Sequence, residues 1–191
     1  MSDIERVPSM AVPGEPAEAD APPPAAAAPG EPPEPPPETL RETLRRVDAG
    51  WAAFHAAAAR FPSERMDEHL TEDGWTRKQM LAHIATWHDL THDRLGKLIM
   101  SGKTATLDEA TDAINARAAR TAIGKTAGEI VKDNEATFNR LRRQLQRMSD
   151  DLLRRDRGWA AQVIASNTYE HYAEHMADLH LPGPPDAGGR R

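Results

Sequence analysis

Asn167-Thr-Tyr-Glu-His171-Tyr-Ala-Glu-His175-Met-Ala-Asp178-Leu-His180 reads as one helical run with a His-x-x-x-His pair inside it. At about 100° per residue, His171 and His175 stand about 40° apart on one face, one turn from each other. Ile164 and Leu179 share that face, so both imidazoles are expected to point towards the core. Neutral imidazoles so placed can reach one metal ion together. A catalytic metal needs a third ligand. The best candidate is His83, in Gly74-Trp75-Thr76-Arg-Lys-Gln79-Met-Leu-Ala-His83-Ile-Ala-Thr-Trp87-His88. The rest of the chain then reads as the frame that brings His83 to His171 and His175.

The 191 residues are enough for one domain with a real core. Cysteine is absent, which excludes disulfides, thiolate metal sites and a cysteine nucleophile, and fits a reducing compartment. No apolar run approaches the ~20 residues that span a bilayer. The first residues carry no apolar core of a signal peptide. A cytoplasmic protein without a membrane partner is expected. Charge is uneven: residues 1–38 hold eight acidic residues and one basic one, leaving 22 acidic against 23 basic in the remainder. A nearly neutral folded part argues against nucleic acid as a partner.

Residues 1–38 also hold twelve of the sixteen prolines, and are expected to form a disordered, partly polyproline-II tail that solubilises the chain. Residues 39–181 carry the helical patterns, and residues 182–191 are expected to be loose. The first helix starts near Glu38 or Thr39, with Leu40, Leu44, Val47, Trp51 and Phe54 on one stripe, and Pro62 ends it. Thr76 with Gln79 is a capping box that opens a second helix. Its stripe is Met80, Ile84, Trp87, Leu95 and Leu98. His83 lies about 60° from the centre of that stripe and His88 about 80°, with His92 about 120° round on the other side. His83 therefore faces the core edge, while His88 and His92 are expected in solvent. Ser101-Gly102 ends this helix.

Thr106-Leu-Asp-Glu109 is a second capping box and predicts a short helix to about Ala122. Thr126-Ala-Gly-Glu129 is a third, opening a helix with Ile130, Phe138, Leu141 and Leu145 inward and Arg140, Arg142, Arg143 and Arg147 on a solvated face. Ser149 to Gly158 reads as a charged connection. Trp159 then begins a last helix that runs to about His180, before Pro182-Gly-Pro-Pro185. The pattern predicts an all-α four-helix bundle, with residues 104–123 as a long crossover. Most tryptophans are expected in the core, with Trp75 placed to plug one end.

Gly74-Trp75-Thr76, Leu81-Ala82-His83 and Trp87, followed some ninety residues later by Asn167-Thr-Tyr-Glu-His171-Tyr and His175, resemble the DinB/YfiT-like superfamily, and within it the ClbS/DfsB-type proteins. The likeness runs from about Leu40 to His180. It implies a four-helix bundle with a long crossover, and, in many members, a divalent metal held by one histidine of the second helix and two of the last. Here those are His83, His171 and His175. It also implies thiol-dependent transferases or isomerases in some branches, and in the ClbS-type branch resistance to a self-made genotoxin by hydrolysis. Metal use differs between the branches.

Three neutral imidazoles leave coordination positions open for water, thiolate or substrate. Zn2+ is the default ion, and Ni2+, Mn2+ and Fe2+ suit imidazole too. Asn167, Tyr172, Asp178 and Trp87 are candidate pocket residues. Glu170 and Glu174 flank the pair but face elsewhere. His55, His69 and His180 receive no role. Two classes stay open. One is a metal-dependent transferase or hydrolase that detoxifies a small electrophile, with a low-molecular-weight thiol as a further cofactor. The other is a metal-free hydrolase or a bundle that sequesters a small molecule. A homodimer is compatible with either.

Overall fold

Thr39 is extended, and its hydroxyl accepts a hydrogen bond from the Glu42 amide, which satisfies one of the amides a helix start leaves free. In the computed structural model, which describes residues 39–70 and 74–180, this cap starts α1 (Leu40–Ala58). Thr43, Val47, Phe54 and Ala57 are its buried face. After Pro62 comes a single 3-10 turn, Ser63–Arg65. Thr76 and Gln79 make the reciprocal capping box of α2 (Arg77–Ser101). Gly102, at φ 67°, takes the left-handed conformation that closes it. A crossover follows, containing α3 (Thr111–Ile123). Then α4 (Ala127–Leu145) starts at the Thr126–Glu129 box. The chain ends its described part in α5 (Asp150–Asn167) and α6 (Tyr169–His180).

These helices form an all-α bundle. α2 packs on α4 and α3, while α1 packs on α6. No strand occurs among the described residues, only an isolated bridge between His69 and Thr76. The core falls into two groups along the bundle. One gathers Phe54, Met80, Ile84, Ile130, Tyr172 and Leu179, and the other Val47, Leu95, Phe138, Leu141, Leu153 and Ile164. Trp51 borders both and lies flat on Phe138, with centroids 4.2 Å apart, a stack worth about 0.5–1.5 kcal/mol beyond its buried area. No helix among the described residues is long and apolar enough to cross a membrane.

Three expectations about the elements change. Thr106 opens no helix: α3 begins at Thr111, after Ala110, without a side-chain cap. The loop is held elsewhere, since Arg94 Nε donates to the Ala105 carbonyl and Glu109 pairs with Arg117. The connection 149–158 is partly helical. Ser149 Oγ caps the Leu152 amide, and Asp150 Oδ1 accepts from the Leu40 amide, tying this segment to the start of α1. Residues Arg155 to Gly158 then leave helical geometry. Lastly, the final helix is interrupted at Thr168 (φ −132°, ψ −103°). The Thr168 hydroxyl donates back to the Ile164 carbonyl at 2.6 Å, and its own carbonyl becomes the acceptor for the Tyr172 amide. The expected tails, 1–38 and 182–191, lie outside the described residues.

Candidate metal centre

His83 projects from α2, and His171 and His175 from α6 one turn apart. Their Nε2 atoms meet. His83 to His171 is 2.7 Å, His175 to His83 is 3.3 Å, and His175 to His171 is 3.2 Å. Two of these edges equal the ~3.3 Å that separates two nitrogens at tetrahedral angles around zinc with Zn–N of ~2.05 Å. Among the described residues, these three form the group whose ligand atoms lie within 4.8 Å of one another. His83 and His171 are buried.

His83 and His171 are held neutral. Burial, and then the neighbouring His171 and His175, push His83 down to about 2. Burial and then His175 push His171 down to about 3. A neutral imidazole has one bare nitrogen to offer a cation, and a metal here would need all three at Nε2, with the protons on Nδ1. His175 Nδ1 lies 3.2 Å from Asp178 Oδ2, so its proton has a carboxylate to meet. That is the outer partner which fixes tautomer and ring orientation. The Nδ1 atom of His171 is buried without a hydrogen-bond partner, and that of His83 makes no well-aligned bond, although the Asn115 side chain reaches the His83 ring. The donor set fits a divalent ion of nitrogen-binding type, with only one of the three outer partners in place.

Aromatic side chains wall the cluster. The Trp75 ring is 4.7 Å from His83, and the Trp87 ring is 6.2 Å from both His83 and His171. Trp87 Nε1 donates to Asn115 Oδ1 on α3 at 3.1 Å, so the crossover helix also borders the site. Nothing in the sequence pattern singled out Asn115. Asn167 is buried at the end of α5, one turn before His171. Glu170 and Glu174 are exposed, and partial burial followed by Glu174 raises the Glu170 carboxyl.

Tyr172, expected beside the histidines as a pocket residue, turns away from them. Its hydroxyl is 2.6 Å from Nε2 of His88. His88 in turn is fully buried, not in solvent as its angular position predicts. The physical reason is that α2 is covered on more than one side, by α3 and α4 as well as α5. Its buried face is therefore much wider than one apolar stripe. His92 is half-buried against Asp93.

Known proteins share this fold. The colibactin self-resistance protein ClbS, in complex with a dsDNA, is similar over 75% of this chain and 94% of its own, with 14% identity and a TM-score of 0.64. An uncharacterised protein from Escherichia coli UTI89 is similar over 75% of this chain and 91% of its own, with 15% identity and a TM-score of 0.63. A variant of a mycothiol-dependent maleylpyruvate isomerase is similar over 75% of this chain and 62% of its own, with 19% identity and a TM-score of 0.62. No curated protein matches in sequence. The exclusion of nucleic acid as a partner does not stand, because a protein of this same fold is seen with a DNA duplex. A net charge near zero averages over the surface and says little about any one patch. Residues 46–178, most of the described chain, match the DinB superfamily, and the protein belongs to it.

Proposed function

We propose that this protein is a metal-dependent enzyme that acts on a small electrophilic or toxic molecule, as a thiol-dependent transferase or a hydrolase. The observation that carries the reading is the meeting of three Nε2 atoms, at 2.7, 3.2 and 3.3 Å, with burial keeping the His83 and His171 rings neutral. His83, His171 and His175 would hold the ion, with Zn2+ first and Ni2+, Mn2+ or Fe2+ as alternatives. When bound, such an ion lowers the pKa of a coordinated water or thiol and polarises an electrophile. The chain's own part is to present three bare nitrogens, to orient His175 through Asp178, and to shield the cluster with Trp75 and Trp87. Two proteins of this fold lend the reading its chemistry, one a self-resistance protein and one mycothiol-dependent. In this reading the enzyme works in the cytoplasm, and its bundle domain runs over residues 39–181.

One observation favours a second reading. The Nδ1 atom of His171 lacks an acceptor, whereas metal-bound imidazoles usually donate there. On that reading the histidines are polar groups of a metal-free hydrolase or binding pocket. Metal content of gently purified, untagged protein, measured by mass spectrometry beside His83→Ala and His171→Ala, separates the two. About one ion per chain, lost in both variants, supports the enzyme with a metal. Protein that takes up no Zn2+, Ni2+ or Mn2+ on incubation, or a variant that keeps its metal, sinks it.

A further inference from the structure

Tyr172 sits between His171 and His175 in sequence but serves a different neighbour. Its hydroxyl meets His88 Nε2 at 2.6 Å, and His88 Nδ1 is 3.1 Å from Thr137 Oγ1. The Thr137 hydroxyl can give its proton to the Asn134 carbonyl, 2.9 Å away. With the His88 proton on Nδ1, donated to Thr137, the protons of Tyr172, His88 and Thr137 each meet an acceptor. The other tautomer turns Nε2–H against the Tyr172 hydroxyl and leaves that hydroxyl's own proton unplaced. Burial keeps the ring neutral, which leaves Nε2 bare to accept from Tyr172. The Asn134 side-chain amide donates to the Leu81 carbonyl at 2.9 Å. The bonds thus run in one sense, from Tyr172 on α6 through His88 on α2 to Thr137 on α4.

The chain of bonds lies in an apolar box. Around His88 stand Trp51, Phe138 and the Tyr172 ring itself, with centroids 5.6, 5.9 and 5.7 Å away. Tyr172, His88 and Thr137 are all buried. In such surroundings a made bond is strong, and a broken one leaves a polar atom with no water to turn to. A rotation of α6 that withdrew the Tyr172 hydroxyl would therefore be opposed.

That opposition matters because of the break at Thr168. A continuous helix would inherit its rotation from α5, but the chain leaves helical geometry at Thr168, so α6 needs its own determinant. A rotation of about 20° moves atoms near the helix surface, about 5–6 Å from the axis, by about 2 Å. That is enough to pull the His171 and His175 nitrogens away from His83.

We propose that Tyr172 and His88 are positioning residues: their directed hydrogen bond, continued to Thr137, locks the rotation of α6 and so aims His171 and His175 at His83. This rests on the reading of the three imidazoles as metal ligands.

Two measurements test it. Co2+ titration followed by visible absorption reads the ligand geometry. Tyr172→Phe and His88→Leu are expected to bind Co2+ about tenfold or more weakly than wild type with unchanged helicity, while His88→Gln, whose amide oxygen can accept from Tyr172, stays within about threefold. Imidazole 15N NMR of the metal-free protein reads the bonds, and is expected to show His88 protonated at Nδ1 and bare at Nε2. Unchanged Co2+ affinity in Tyr172→Phe overturns the proposal, and so does a proton on Nε2 of His88. If the wild type takes up no Co2+, the metal reading fails by itself. The lock is then judged by whether Tyr172→Phe shifts the ring resonances of His171 and His175, and unshifted resonances overturn it.

Discussion

Gly50 on α1 lies against Tyr169 on α6 so closely that a Cβ on Gly50 would stand 3.0 Å from the Tyr169 Cβ and 3.1 Å from its Cα. The Tyr172 ring would be 3.1 Å away as well. One of these neighbours is backbone, so a larger residue has to move α6 itself. In an isolated helix, Gly→Ala stabilises by about 1 kcal/mol. Here the sign should reverse, with Gly50→Ala destabilising by about 1–2 kcal/mol through overpacking. Urea unfolding of the two proteins decides it, and a stabilised variant would show that α6 is not packed this tightly.

Acid should unfold the metal-free protein early. His83, His88 and His171 are neutral when folded, lowered from 6.5 to about 2, 3 and 3. Below pH 6.5 the unfolded chain takes up protons that the folded rings refuse. Their stability contribution is thus full above that pH and falls with acid, at about 1.4 kcal/mol per pH unit for each ring, down towards pH 3. The Tm should drop steeply from pH 6.5 to 5, and His88→Gln should cut the slope by roughly a third. A Tm that stays level over this range would contradict the burial of these rings.

Asp178 should matter for metal affinity more than for the fold. It is half-exposed and faces His175 Nδ1 at 3.2 Å. Asp178→Ala removes the acceptor and should weaken Zn2+ binding by about tenfold, at the low end for an outer partner. Competition with a chromophoric chelator measures this. Equal affinity in variant and wild type would leave Asp178 without a part in the site.

Two threonines that look alike in sequence should behave differently. Thr76 caps α2 through Gln79, whereas Thr106 starts no helix. Thr76→Ala should cost about 1 kcal/mol, and Thr106→Ala close to nothing. Thermal unfolding of the pair is enough, and equal losses would mean that the loop before α3 carries a cap after all.

That contrast also shows where the sequence was readable. Thr76 with Gln79, Thr126 with Glu129, and Gly102 were legible because each acts on backbone a few residues away. The convergence of His83 on His171 and His175 was legible from helical spacing plus the resemblance. His88 was not, because its burial depends on how many helices surround α2, a tertiary fact absent from any one stripe. The break at Thr168 was hidden for a related reason: a threonine in a helical run is ordinary until its hydroxyl turns back to Ile164. The start at Ser149 was readable, since a serine before Asp150 and Asp151 is a regular cap with acidic residues behind it, and only the charge of the segment disguised it.

The partners in the histidine cluster are 88 and 92 residues apart along the chain, His83 early and the other two in the last described helix. During synthesis, His83 leaves the ribosome long before His171 and His175 do. While residues 83 to 170 are being made, the nascent chain holds only a single imidazole of the cluster. Whatever the finished cluster captures, an unfinished chain cannot, so maturation of the site waits for the last helix to be delivered and docked.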